Sequence, residues 1–153
     1  GGPAGLEGPT LSGGTVKRQG ALTVVQGAGG KEQVTSISWQ RMHSHENVVD
    51  FARTTRAAPR IWLDGFTAIG SMLAFVAPLF TQVADCRRMV LDVSGDGLIN
   101  AGAPTAASRN LLLAQGVTIN GIAIDRRGDA VLQYFRSDII GGLDAFEIGR
   151  ATV

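Results

Sequence analysis

Asp92, Ser94 and Asp96 are the side chains in this sequence whose type and spacing best suit chemistry. They stand at alternate positions of Arg88–Gly102, R-M-V-L-D-V-S-G-D-G-L-I-N-A-G, directly after the apolar run Met89, Val90, Leu91. An apolar run that gives way to Asp, Ser and Gly predicts a buried strand whose C-terminal end opens into a loop. Carboxylate and hydroxyl oxygens at such an end are hard ligands suited to Mg²⁺, Mn²⁺ or Ca²⁺. Ligands of open α/β sheets bind at the carboxyl ends of the strands, so this is the expected functional edge.

Three readings of D-V-S-G-D-G-L-I-N compete. As a calcium loop of the EF-hand kind, Asp92, Ser94, Asp96, Gly97 and Ile99 fit, but position 12 is Ala103 where a bidentate acid is required. As a structural turn, Asp92 and Asp96 cap backbone groups and the glycines permit the bend. As half of a cation site, the loop needs a partner. Thr67, in G-F-T-A-I-G, begins a helix two elements earlier, and in a parallel sheet its loop would lie beside the strand end.

The elements that would position these groups can be read in order. Residues 1–30 hold ten of the 21 glycines with Pro3 and Pro9, a composition of loop or disorder expected to be poorly ordered or to lie outside the family domain, with a short helix or strand from Val16 to Val25. The domain proper is expected over 31–153. Gln33 to Trp39 alternates as a strand. Ser44 caps a helix from His45 to about Ala57, which Pro59 ends. Thr67 is expected to cap a long apolar helix to about Val83, kinked at Pro78. The central strand follows. A helix runs from Pro104 to about Gln115 with Gly116 as its stop. Val117 to Ile124 is a strand packing Val117, Ile119, Ile122 and Ile124 inward. Asp129 to Ser137 is a short helix and Ala145 to Ile148 a last strand. The order β-α-α-β-α-β-α-β predicts an α/β fold, a mostly parallel, doubly wound sheet with helices on both faces.

Bulk properties narrow the function. The 153 residues are 44% apolar and 18% charged, as in a globular domain. A net charge of +1 gives no electrostatic case for nucleic acid. One cysteine, Cys86, excludes an intrachain disulfide. The longest apolar stretch, Ile69 to Phe80, is broken by Ser71 and Pro78 and is too short to span a bilayer. The chain opens on Gly-Gly-Pro without an initiating Met or signal peptide, which suggests a processed, cloned or truncated piece.

T-A-I-G ahead of an apolar helix, R-R-M-V-L-D-V-S-G-D-G, A-A-S-R-N-L-L-L-A-Q-G-V-T-I-N-G-I-A-I and I-I-G-G-L-D-A-F together resemble bacterial von Willebrand factor type A-like proteins of uncharacterised function. The resemblance runs from about Lys31 to Ile148 and is densest in Arg87–Ile124 and Ile139–Phe146. It implies a doubly wound, Rossmann-like fold with a metal-ion-dependent adhesion site. Such a site is built by a D-x-S-x-S loop, a Thr from a second loop and an Asp from a third. Carried over, Thr67 is the second-loop ligand and Asp96 the third, with Asp92 and Ser94 as supports. No D-x-S-x-S precedes Thr67, Ile99 stands where the resemblance suggests Asn, and no helix follows the last strand. Both edges of the fold therefore look trimmed.

The resulting expectation is a divalent-metal-dependent protein-binding module, holding Mg²⁺ or Mn²⁺ (or Ca²⁺) and completed by an acidic side chain from a partner protein. Periplasmic or extracellular placement follows from the resemblance alone. Two alternatives stand beside it: a metal-dependent phosphoester or ester hydrolase, and a structural fragment without an active site. For the hydrolase, Ser94 with Asp96 and His43 or His45 is conceivable, yet G-x-S-x-G, D-x-D-x-T and P-loop patterns are all missing. His43 and His45 as a metal pair lack a neighbouring Cys or acid. Arg87 and Arg88 adjoin Cys86, an arrangement able to lower a thiol pKa, but the favoured reading of Cys86 is a buried or inert thiol. Trp39 and Trp62 are expected to pack.

Overall fold

The computed structural model of the chain describes residues 20–61, 68–98, 104–125 and 128–151. Its strands form two sheets. β1 (Gly20–Gly27) and β2 (Gln33–Met42) make an antiparallel hairpin, while β3 (Met89–Gly95), β4 (Val117–Asp125) and β5 (Glu147–Ala151) form a parallel sheet in the order β3-β4-β5. Of the helix or strand expected from Val16 to Val25, the described residues form a strand, β1. Its five-residue link to β2 is closed by Ala28 N–H on Glu32 O and Glu32 N–H on Gly29 O. So short a connection cannot carry a parallel crossover, so β2 belongs to a hairpin rather than to the parallel sheet.

Helix α1 (His45–Ala57) begins as its sequence predicts, with the Ser44 hydroxyl accepting from Asn47 N–H at 3.2 Å. It packs on β2 and buries none of its residues fully. The long apolar helix is two pieces: α2 (Ile69–Val76), then a 3-10 segment over Ala77–Val83. Pro78 is the physical reason, because it has no N–H to continue the α-helical ladder. The N-cap of α2 is Ala68, with no side-chain cap bond, so the expected Thr67 cap is corrected. Thr67 and Trp62 themselves lie outside the described residues.

Alternation along the parallel strands sorts their faces. Leu91 pairs with Ile119, Val93 with Gly121 and Gly95 with Ala123, and these positions share one face. Against it pack Ile69, Leu73, Val76 and Phe80 from α2 and its 3-10 extension, Leu112 from α3 (Thr105–Ala114), Val131 from α4 (Ala130–Tyr134), and Phe135 and Ile139 from the π-helical turn Phe135–Ile139. Val25 and Trp39 reach this core from the hairpin, and Trp39 Nε1 donates to Leu79 O at 3.0 Å. The α2 segment thus lies over both sheets.

β3 is an edge of the described parallel sheet, and β4 is its middle strand. One expectation is corrected. Ile122 does not pack inward: it has the opposite parity to Ile119 and Ala123 and is 37% exposed, paired in register with Ile148 at 50%. The α/β class holds, as a three-stranded parallel sheet flanked by helices.

Gly142 turns the chain from the π-helical segment toward β5. Its φ is +94°, and a Cβ there would meet the Thr118 Cα at 2.9 Å, so only glycine fits the turn.

Candidate functional site

β3 carries the candidate side chains because its apolar positions alternate with polar ones. Val90, Leu91 and Val93 are buried, whereas Asp92 and Ser94 are exposed on the face opposite Leu91 and Val93. Asp96 follows in the bend after Gly95 and is also exposed. The three oxygen-bearing groups therefore leave the strand at its carboxyl end. Thr67 lies outside the described residues.

Asp92 is not a free carboxylate. Asn120 stands opposite it in register on β4, and Asn120 Nδ2 donates to Asp92 Oδ1 at 2.8 Å. Phe146 N–H in turn donates to Asn120 Oδ1 at 3.2 Å, while Gly121 N–H donates to Phe146 O at 3.0 Å. Asn120 is 6% exposed, so its amide is a buried polar group with both ends satisfied. Sequence reading missed Asn120 and Phe146. The available signal was a single amide inside V-T-I-N-G-I-A-I, an unusual residue for a buried strand.

These contacts test the fit to a divalent cation. Hard oxygens are present on Asp92, Ser94 and Asp96, as such an ion requires. Asp92 Oδ1 already accepts from Asn120, which leaves Oδ2 as its oxygen without a partner among the described residues and suits Asp92 to a supporting role. Among the described residues, no three His, Cys, Asp or Glu side chains gather as a metal cluster. A complete shell would need oxygens beyond those described.

The same sheet face is rimmed by apolar groups. Phe146 is 48% and Leu143 82% exposed, next to the Ile122–Ile148 pair. Thr118 Oγ1 donates to Leu143 O at 3.1 Å and tethers that loop to β4.

Other candidates separate from the site. His43 and His45 are exposed at the start of α1, which packs on the other sheet. Cys86 precedes β3, and burial, followed by the charge of Asp85, pushes its thiol upward; Arg87 and Arg88 are exposed. Neither Arg87 nor Arg88 lowers it, which agrees with the inert thiol favoured from the sequence. The cation that does act there is Arg41, whose Nη1 and Nη2 meet the Asp85 carboxylate at 3.0 Å each. That bond holds Asp85 below the usual carboxylate range and raises Arg41.

The family model described as Protein of unknown function (DUF1194) matches residues 10–152. The chain belongs to that family. Its match takes in both sheets, the α2 segment and all three candidate residues of β3 and its bend. Neither curated proteins nor solved structures gave a significant match. Among the described residues, no helix is long and apolar enough to cross a membrane.

Proposed function

We propose that this chain is a binding module of the von Willebrand factor A-like kind, in which a divalent cation, Mg²⁺ or Mn²⁺, joins the protein to an acidic side chain of a partner protein. The observation that carries the reading is the exposure of Ser94 and Asp96, beside the anchored Asp92, at the carboxyl end of a parallel strand. Asp96 and Thr67 would be direct ligands, and Asp92 and Ser94 would support them. Bound there, the cation would supply a charge for an incoming carboxylate.

The finer fold reading belongs to the same proposal. β1 and β3 each pair on one side only among the described residues, and the α2 segment packs over both sheets. A further strand between them would join the sheets into one and could carry the D-x-S-x-S loop of such a site. A helix on the face of Asp92 and Ile122 would complete the doubly wound arrangement. Periplasmic or extracellular placement is part of this reading and rests on the resemblance.

The test is thermal unfolding in increasing Mg²⁺ or Mn²⁺, on this chain and on a version extended by the residues encoded upstream. The reading expects a cation-dependent rise in melting temperature in the extended protein that disappears in Asp96→Ala. No rise in either protein, or an upstream sequence without a strand ending in D-x-S-x-S, would remove it. Cation-dependent turnover of a phosphoester would make the site hydrolytic instead.

A further inference from the structure

We propose that Asp92, Asn120 and Phe146 form a relay through which occupation of the Asp92 carboxylate is felt by the Gly141–Phe146 loop. The inference rests on reading Asp92 as part of a ligand site.

The amide of Asn120 has only one orientation that satisfies both neighbours. Its Oδ1 accepts from Phe146 N–H, which leaves Nδ2 to donate to Asp92 Oδ1. Flipping the amide would break both bonds at a position that is 6% exposed. The three groups therefore keep or lose their alignment together, from β3 across β4 to the residue that precedes β5.

The Gly141–Phe146 loop is fastened by consecutive residues of β4, Thr118 to Gly121. Ile119 N–H donates to Gly141 O at 2.8 Å and Gly141 N–H returns to Ile119 O at 3.1 Å. Thr118 Oγ1 holds Leu143 O, and Gly121 N–H holds Phe146 O. Within this set, the Phe146 N–H bond is the link that leads on to a carboxylate of β3. A ligand that draws on Asp92 Oδ1 competes with the Asn120 amide and loosens that link, while one that takes only Oδ2 leaves it intact. The loop carries Leu143, 82% exposed, and Phe146, 48% exposed, so the output of the relay is an apolar surface. Coupling of this kind is reciprocal: a partner that fixes Phe146 also fixes Asp92.

Amide hydrogen exchange, followed residue by residue on the full chain by NMR, tests this. In Asp92→Ala the Phe146 N–H is expected to exchange about tenfold faster, the weight of one hydrogen bond. Ile119 N–H, at the other end of the loop, should keep its rate. Asp92→Asn keeps an acceptor oxygen opposite Asn120 and is expected to stay near the wild-type rate. An unchanged Phe146 rate in Asp92→Ala, or equal acceleration at Ile119, overturns the relay. Mg²⁺ is then added to the wild type and to Asn120→Ala. A change at Phe146 in the wild type alone extends the relay to a cation. If Asp92→Ala accelerates Phe146 but Mg²⁺ changes nothing, the relay stands and Mg²⁺ does not draw on Asp92 Oδ1 in this chain; the cation reading is then decided by the melting-temperature test above.

Discussion

The Phe135 ring lies against the backbone of Gly121, so closely that a Cβ on that glycine would stand 2.5 Å from ring Cδ1. The same ring passes beneath Gly95, where a Cβ would meet Cζ at 3.3 Å. Phe135 is fully buried and props the sheet at the end that carries Asp96. Gly121→Ala is therefore expected to destabilise the fold by about 1–3 kcal/mol through overpacking. Urea unfolding measures it. Adding Phe135→Leu should recover part of that loss, because the two substitutions relieve each other at one contact. Simple addition of the two costs would contradict the packing.

Much of the fold was legible in periodicity. β2, α1, β3, α3 and β4 fall where alternation, caps and breakers put them, and Gly116 takes the left-handed φ of +82° that a helix stop asks for. What local pattern could not give was pairing. Val117, Ile119, Ile122 and Ile124 read as one apolar set, yet a strand has two faces and Ile122 falls on the other. The hairpin was hidden because glycine-rich composition around Gly20–Gly30 masks the alternation of β1. At the site, Asp92, Ser94 and Asp96 stood out by type, whereas Asn120 became visible only through the register that sets it opposite Asp92.

Trp39 ties the hairpin to the helical layer. Its Nε1 donates to Leu79 O at 3.0 Å, and its ring meets Phe80 edge-on with centroids 6.0 Å apart. Trp39→Phe keeps an aromatic group but leaves the Leu79 carbonyl without that donor. A loss of about 1–2 kcal/mol in unfolding free energy is expected. Amide exchange in β1 and β2 should accelerate more than in β4, since this side chain, with Val25, is how the hairpin reaches the core. Uniform acceleration across both sheets would show that the hairpin is not separately anchored.

Tyr134 gives the fold an alkaline limit. Burial raises its phenol above the ordinary value, opposed by the 2.6 Å hydrogen bond with Thr105 Oγ1 and assisted by the charge of Asp138. An acid whose folded pKa is raised stabilises the fold fully below its unfolded pKa, near 10, and that contribution is lost as pH rises through the folded value. Stability is therefore expected to fall as pH climbs above about 10. In Tyr134→Phe that part of the decline should disappear. Parallel pH profiles for the two proteins would assign the alkaline loss elsewhere.

The Cys86 thiol should react slowly. Burial and Asp85 both favour its protonated form, which leaves less thiolate for attack on an alkylating reagent. Iodoacetamide labelling of the folded chain is expected to lag behind that of the urea-unfolded chain, with its rate profile displaced to higher pH. Equal rates at every pH would mean that the folded environment does not perturb the thiol.

Ile119 and Ile122 are three residues apart on β4 and should answer substitution very differently. Ile119 is fully buried among the helices, so Ile119→Ala is expected to cost about 2–5 kcal/mol. Ile122 is 37% exposed beside Ile148, so Ile122→Thr should cost well under about 1.5 kcal/mol in this chain. The contrast is a direct reading of which face the helices cover, because the two side chains differ only in parity. If the gene encodes residues upstream of Gly1, extending the protein by them provides a second measurement at the same position. If the added segment covers the face shared by Asp92, Ile122 and Ile148, Ile122→Thr becomes costly there while Ile119→Ala changes little. An Ile122→Thr cost as large as that of Ile119→Ala in the present chain would instead show the face to be already buried, and the sheet to be packed on both sides.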